Sequence, residues 1–210
     1  MDRQRILTRV AEYYTATLQR HGCTPQGADW RTEESQLWRF AELLRLIAGE
    51  QDCSLIDYGC GYGMLADYLH EQRTPYRYIG FDLSVAMVAA ARSRHQSGCE
   101  CRFAADRQSV TPADFAIASG VLNVRLDIAE DRWGEHVLET IDDLASLGRR
   151  GFAFNALSSH VPTERRRAHL YYADPIALLI HCAGHFSPQV SLLHDRVAHE
   201  FTIIVRRVGE

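Results

Sequence analysis

The 210-residue sequence contains no apolar run approaching the roughly 20 residues that a membrane-spanning helix needs, so a membrane location is not expected. It has no internal repeat and no low-complexity tract, which argues against solenoid, fibrous and disordered classes. Its first residues, MDRQRILTRV, lack the pattern of a secretory leader. It has no excess of positive charge: 23 Lys and Arg stand against 27 Asp and Glu, for a formal net charge of -4. No overall field exists to draw in phosphates, and a nucleic-acid partner is not expected. It also lacks a second Cys/His pair at zinc-ligand spacing to complement Cys99 and Cys101 of CEC, which as alternate strand positions simply share a face. No metal site is expected, and Cys99 and Cys101 read as small apolar packing residues. A chain of this length buries enough core to need no disulfide staples, so the reducing cytoplasm is the expected compartment.

What is present is the composition of a soluble globular protein, 46% hydrophobic and 24% charged. From Gln4 to Leu18 apolar residues recur every three or four positions (Ile6, Val10, Tyr14, Leu18), which predicts a first helix. Gly22, Pro25 and Gly27 break it, and Thr32 caps a second helix expected to reach Ile47. After residue 50 short apolar runs alternate with helical stretches. Strands are expected at Cys53 to Tyr58, YRYIGFD, ECRFAA, DFAIAS and GFAFNAL. Between them lie helices from Met64 to His70, over SVAMVAAARSR, and over DRWGEHVLETIDDLASLG, with Asp131 as cap and Gly148 at the end. A last helix, capped by Asp174 with Pro175 at its first position, precedes two strands, VSLLHD and EFTIIVRRV. Such alternation implies an α/β fold, a doubly wound and mostly parallel sheet with helices on both faces. Only RVAH separates the final strands, too little for a crossover, so they pair as an antiparallel hairpin or splay around one intervening position. The expected organisation is one domain, with residues 1–50 as a helical cap on a core of residues 51–210.

Directly after the first strand, DYGCGYG places Gly59, Gly61 and Gly63 at alternate positions. In a doubly wound sheet this turn borders the ligand crevice, and glycines there let a ligand lie against the backbone. A dinucleotide fingerprint needs G-x-G-x-x-G, and its third glycine would fall at Met64. The glycines instead follow G-x-G-x-G, with Asp57 two residues ahead. Asp82 ends the second strand 23 positions beyond Gly59, near the roughly 20 expected of a carboxylate that accepts ribose hydroxyl hydrogen bonds.

DYGCGYG resembles motif I of the class I S-adenosylmethionine-dependent methyltransferases, D/E-x-G-x-G-x-G, at every position. The resemblance extends over most of the chain after residue 52. It implies a seven-stranded Rossmann-like sheet whose seventh strand inserts between the fifth and sixth. It further implies S-adenosylmethionine as cofactor, held by Asp57, Gly59, Cys60, Gly61, Gly63, Asp82 and Leu83, with Asp106 after the third strand receiving the adenine amino group. The D/N-P-P-F/Y/W signature of exocyclic-amine methylation is replaced by SGVLNV, and no cysteine follows a proline, so base methylation is not expected. The implied reaction is methyl transfer to an O or N atom of a small-molecule acceptor. A noncatalytic S-adenosylmethionine-binding protein and a nicotinamide-dependent oxidoreductase are the alternatives.

Acceptor-side residues must lie beyond the carboxyl ends of the strands. Asn123 follows the fourth strand, His160 the fifth and His194 the sixth, and the two histidines are the candidate general bases. Tyr171 and Tyr172 fall where a pocket wall could form, and Arg165, Arg166 and Arg167 either hold an anionic acceptor or make a solvated basic face. Trp30 and Arg39 are candidates to close over the cofactor, Arg39 meeting its methionine carboxylate; the alternative packs Trp30 and Trp38 on the sheet with Arg39 facing water. The sequence carries no signal for an oligomeric state.

Overall fold

In the computed structural model, residues 2–72, 76–96 and 100–207 are described. Helix α1 (Arg3–His21) starts at Asp2, whose carboxylate accepts the Arg5 N–H, and ends at Gly22, whose positive φ of 67° suits glycine. Helix α2 (Glu33–Leu43) opens with a reciprocal capping box between Thr32 and Ser35. It stops four residues short of the expected end, because Leu44–Ile47 tighten into a 3-10 turn.

The alternating segment then follows as β1 (Ser54–Tyr58), α3 (Met64–Glu71), β2 (Arg77–Phe81), α4 (Val85–Arg94), β3 (Cys101–Ala104), β4 (Ala113–Ala118), α5 (Glu130–Leu147), β5 (Gly148–Leu157), α6 (Pro175–His185), β6 (Val190–Leu193) and β7 (Glu200–Arg206). Helix α5 begins at Glu130 after Ala129, so Asp131 lies inside its first turn and is not its cap. Asp174 caps α6 through the N–H groups of Ile176 and Ala177, as expected. Cys101 is disulfide-bonded, which corrects the expectation of unpaired cysteines, whereas Cys23, Cys53, Cys60 and Cys182 are free. Cys99 lies outside the described residues.

The seven strands form one sheet in the order β3-β2-β1-β4-β5-β7-β6. Strands β1 to β5 pair in parallel, while β7 runs antiparallel to both β5 and β6. The pair expected of the last two strands thus forms, and β7 inserts between β5 and β6.

Alternation along each strand sorts the core into two layers. Ile56, Tyr58, Ala116, Phe152, Phe154 and Ile203 face α1, α5 and α6. Leu55, Phe115, Ile117, Ala153 and Ile204 face α2 and α3, with Val88 and Ala91 of α4 on the same side. Trp133 of α5 is fully buried in the first layer and donates its indole N–H to Leu122 O at 2.8 Å. Helix α1 bridges the sheet: Arg3 pairs with Asp143 of α5 at 2.5 Å, and Thr15 meets Ser84, the cap of α4, at 2.7 Å. The helix therefore roofs the carboxyl ends of the central strands, where strand order reverses between β1 and β4. Among the described residues, no helix is long and apolar enough to cross a membrane.

Candidate functional site

The turn from β1 to α3 holds Gly59, Gly61 and Gly63 at φ 83°, 54° and 89°, all in the region that L side chains avoid. Their surroundings differ. A Cβ on Gly59 would stand 2.5 Å from Val121 Cγ2, and one on Gly63 2.9 Å from the His95 ring, so both are packed by the protein itself. A Cβ on Gly61 would meet nothing nearer than Ala28 Cβ at 3.9 Å, because Gly61 borders an open cleft.

Two backbone N–H groups of this turn, from Gly59 and Cys60, donate to Phe81 O at 2.7 and 2.9 Å, which ties the loop to the end of β2. The next residue, Asp82, accepts the Gly61 N–H on Oδ2 at 2.9 Å and the Ser84 N–H on Oδ1 at 2.8 Å. Each carboxylate oxygen keeps a further lone pair for a donor in the cleft. Burial pushes the Asp82 carboxyl up to about 6, against the pull of the two N–H donors. Asp57 is buried more deeply: it accepts the Tyr78 hydroxyl at 2.6 Å and is pushed up to about 7, chiefly by desolvation. Among the predicted cofactor residues, Asp57, Gly59, Cys60, Gly61, Asp82 and Leu83 line this narrow cleft.

The cleft also contains residues that sequence reasoning did not single out. Gln36 of α2 is buried, and its Oε1 has no hydrogen-bond partner in the protein. An unpaired buried acceptor is costly unless a ligand supplies the donor. Tyr14 of α1 borders the cleft and, with Ala28, Trp30 and Gly120, also borders a larger cleft on the other side. Trp30 lies on the backbone of Gly120, φ 74°, where a Cβ would come within 2.7 Å of its ring. The Gly120 N–H donates to Oδ1 of fully buried Asn155 at 2.7 Å, so β5 fixes the loop that follows β4.

The larger cleft has a volume of about 820 Å³, within the range of small-molecule sites. Of the predicted acceptor-side residues, Trp30, Asn123, His160 and Tyr172 line it. Asn123 spends its side-chain oxygen on the Leu157 N–H at 3.0 Å. His160 is exposed at the rim, and its ring lies 5.8 Å from that of His194. His194 itself stands outside the cleft lining, with Nε2 3.2 Å from Ala198 O. The lining also includes His169 and His199, from loops whose place beyond the strand ends was the available signal.

Three further predicted residues are positioned otherwise than expected. Tyr171 packs against the core with its hydroxyl beside Gly134 of α5, and burial pushes its phenol up, so it is a plug between loop and helix and not a pocket wall. Asp106 is exposed, caps the turn Arg107–Ser109 through the Gln108 N–H at 3.0 Å, and lies outside both clefts. Arg39 neither faces water nor is free for an external carboxylate. Its guanidinium is buried against Glu200, with Nε 2.7 Å from Oε1 and Nη2 2.5 Å from Oε2, and it lies 4.7 Å from the Trp30 ring and 4.2 Å from that of Trp38. Among the described residues, no group of three or more His, Cys, Asp or Glu side chains could hold a metal ion.

Comparison with known proteins agrees with this geometry. The family profile described as "Methyltransferase domain" matches residues 30–201. A candidate methyltransferase of Mycobacterium tuberculosis (strain ATCC 25618 / H37Rv), Rv1506c, is 40% identical over 166 residues, which is 79% of this chain and 100% of that one. Among solved structures, magnesium protoporphyrin IX methyltransferase (ChlM) from Synechocystis PCC 6803 with bound SAH superposes with a TM-score of 0.69 at 18% identity, over 96% of this chain and 99% of that chain. The Burkholderia thailandensis 1,6-didemethyltoxoflavin-N1-methyltransferase, with its substrate and S-adenosylhomocysteine, superposes at 0.65 and 18% identity, over 100% of this chain and 92% of that chain. At such identities the structures report a shared fold.

Proposed function

We propose a function from one premise: the chain belongs to the class I S-adenosylmethionine-dependent methyltransferases. It is an enzyme of that family, and the nicotinamide-dependent alternative is set aside. The finer reading is methyl transfer to an O or N atom of a small molecule that enters through the larger cleft. The observation that carries it is the meeting of two clefts at Tyr14, Ala28, Trp30 and Gly120. One cleft offers a donor site and the other the space for an acceptor, so that positioning, worth roughly 7–11 kcal/mol of a barrier, can be supplied at the junction.

The residues of the first cleft fit S-adenosylmethionine. The surface above Gly61 is open where a side chain would otherwise stand, Asp82 retains acceptor capacity for ribose hydroxyls, and Gln36 Oε1 awaits a donor such as an amino group. When bound, the cofactor supplies a methyl group made electrophilic by the sulfonium. The chain's own part is to hold, orient and exclude water: Tyr14 and Trp30 border the junction, and Asn155 fixes Gly120 against the Trp30 ring. Where the acceptor is a hydroxyl, His160 at the rim is the proposed base; a neutral amine needs none. Domain organisation follows the same reading, with residues 1–50 as the cap of a single methyl-transfer unit. A screen of metabolite extracts with labelled S-adenosylmethionine tests the proposal: transfer of label to a small molecule is the expected result, and label recovered only in protein or nucleic acid overturns it.

Asp82 gives two quantitative tests. Asp82→Ala is expected to weaken S-adenosylhomocysteine binding by about 1.5–3 kcal/mol, the worth of hydrogen bonds to a charged group. Calorimetry measures this directly, and an affinity within about twofold of wild type refutes the ribose role. The second test is pH. Hydroxyl donors favour the ionised carboxylate, so ligand binding lowers the Asp82 pKa and expels a proton below about pH 6. Affinity should therefore rise between about pH 5 and pH 7 and then level off. Asp82→Asn should flatten the profile; a slope that survives it would assign the titration to Asp57.

A further inference from the structure

The larger cleft is not neutral. Arg39 and Glu200 cancel within it, and the Asp29 carboxylate accepts the Tyr13 hydroxyl at 2.9 Å. Arg31, Arg165 and Arg167 also line it, all three exposed, and among the described residues none has a carboxylate within ion-pair distance or a hydrogen bond from its guanidinium. Local architecture explains why two of these point the same way. Arg166 between them is committed to the backbone, donating to Val161 O at 2.9 Å and to Ser159 O, with its guanidinium 5.5 Å from the Tyr172 ring. The Tyr172 hydroxyl in turn accepts the Arg167 N–H at 3.0 Å. The central arginine and the tyrosine thus pin the segment, and the arginines on either side of Arg166 are left facing the cleft. Two further histidines, His169 and His199, add donors on the same lining. The same lining carries the aromatic and aliphatic surfaces of Trp38, Leu157 and Val161.

We infer that the acceptor is an anion: a small molecule with an apolar body and a carboxylate or phosphate group, held by Arg165 and Arg167, with Arg31 on the same lining. Guanidinium groups suit both anions because their planar forks donate paired hydrogen bonds to two oxygens. The assignment rests on the methyl-transfer reading for the role of the cleft, while the charge arrangement stands by itself. Anchoring the charged end at the arginines leaves the other end of the acceptor to reach the junction at Trp30 and Gly120.

The test uses matched probes. Benzoate and phenyl phosphate are titrated by calorimetry against the full chain saturated with S-adenosylhomocysteine, beside the neutral benzamide and benzyl alcohol. At least one anion is expected to bind about tenfold or more tightly than its neutral counterpart. In the Arg165→Gln/Arg167→Gln double variant that preference should fall to near unity, while S-adenosylhomocysteine affinity stays within about twofold. Both arginines are exposed and unpaired, so the variant is expected to melt like wild type; Arg31→Gln, from a separate segment, should show a smaller drop in the same direction. The carboxylate and phosphate arms identify which anion the site prefers. Equal binding of charged and neutral probes, no binding of either anion, or a preference that persists in the double variant overturns the proposal. Failure of S-adenosylhomocysteine to bind would instead count against the methyl-transfer reading, and the anion preference would still be measurable on the chain alone.

Discussion

Glu200→Gln is expected to cost the fold about 3–5 kcal/mol, a large share of the 5–15 kcal/mol that holds a typical domain together. The substitution leaves the Arg39 guanidinium buried without its counterion. Side-chain exposure is 8% for Arg39 and 2% for Glu200, so solvent offers little compensation. Burial raises the Glu200 carboxyl and the paired Arg39 opposes that rise, which is the signature of a charge tolerated only because of its partner. The two tryptophan faces soften the loss, since a cation over an aromatic ring retains about 0.5–2 kcal/mol of attraction, but they cannot replace two short charged hydrogen bonds. Glu200 is the first residue of β7, opposite Leu157 at the end of β5, and Arg39 comes from α2. The pair therefore clasps the N-terminal helices to the sheet beside the larger cleft. Guanidinium denaturation of wild type, Glu200→Gln and Arg39→Met/Glu200→Leu measures the effect. The double variant should recover much of the loss, because a buried ion pair replaced by apolar groups of similar volume is often neutral. A single variant less than about 1 kcal/mol below wild type would show that the charges are solvated in solution. S-adenosylhomocysteine binding to the double variant should stay within about twofold, since Arg39 does not border the narrower cleft. A much larger fall would restore the reading in which Arg39 meets the cofactor's carboxylate.

The Arg39 contact shows where sequence reasoning stops. Trp30, Trp38 and Arg39 stood out as a group, but Glu200 is 161 positions away, and no local pattern links it to α2. Tyr14 and Gln36 were hidden for a related reason. Periodicity identifies the apolar face of a helix without saying whether that face covers core or cleft. Tyr171 and Tyr172 are adjacent yet face opposite tasks, one plugging against α5 and the other bracing the arginine segment, and a dipeptide outside regular structure carries no parity that separates them. Asn155 was legible in principle, because a polar residue inside the apolar strand GFAFNAL must find a partner. By contrast, element order and the glycine turn follow from short-range chemistry and are legible in the sequence. The order of strands came from family resemblance, since spacing alone left the final pair undecided between a hairpin and insertion of a strand.

Gly61→Val is expected to reduce S-adenosylhomocysteine affinity more than about hundredfold, or roughly 2.7 kcal/mol. Two effects combine. At φ 54° a β-branched residue is strained by about 1–3 kcal/mol, and relief of that strain would turn the N–H away from Asp82 Oδ2. Beyond Cβ, the valine methyl groups extend into the cleft, where the nearest protein atom to the added Cβ is Ala28 Cβ at 3.9 Å. Gly61→Ala separates the two. Its single methyl group meets no clash in the protein, so the fold should lose only the left-handed backbone cost, about 1–2 kcal/mol. If the surface above Gly61 belongs to the donor, alanine should still weaken binding about tenfold or more, out of proportion to its effect on melting. Gly59→Ala supplies the opposite control, because its Cβ would stand 2.5 Å from Val121 Cγ2 and the damage should fall first on stability. An alanine at position 61 that binds S-adenosylhomocysteine like wild type would mean that this glycine serves the turn alone, and the donor site would have to be sought away from the loop.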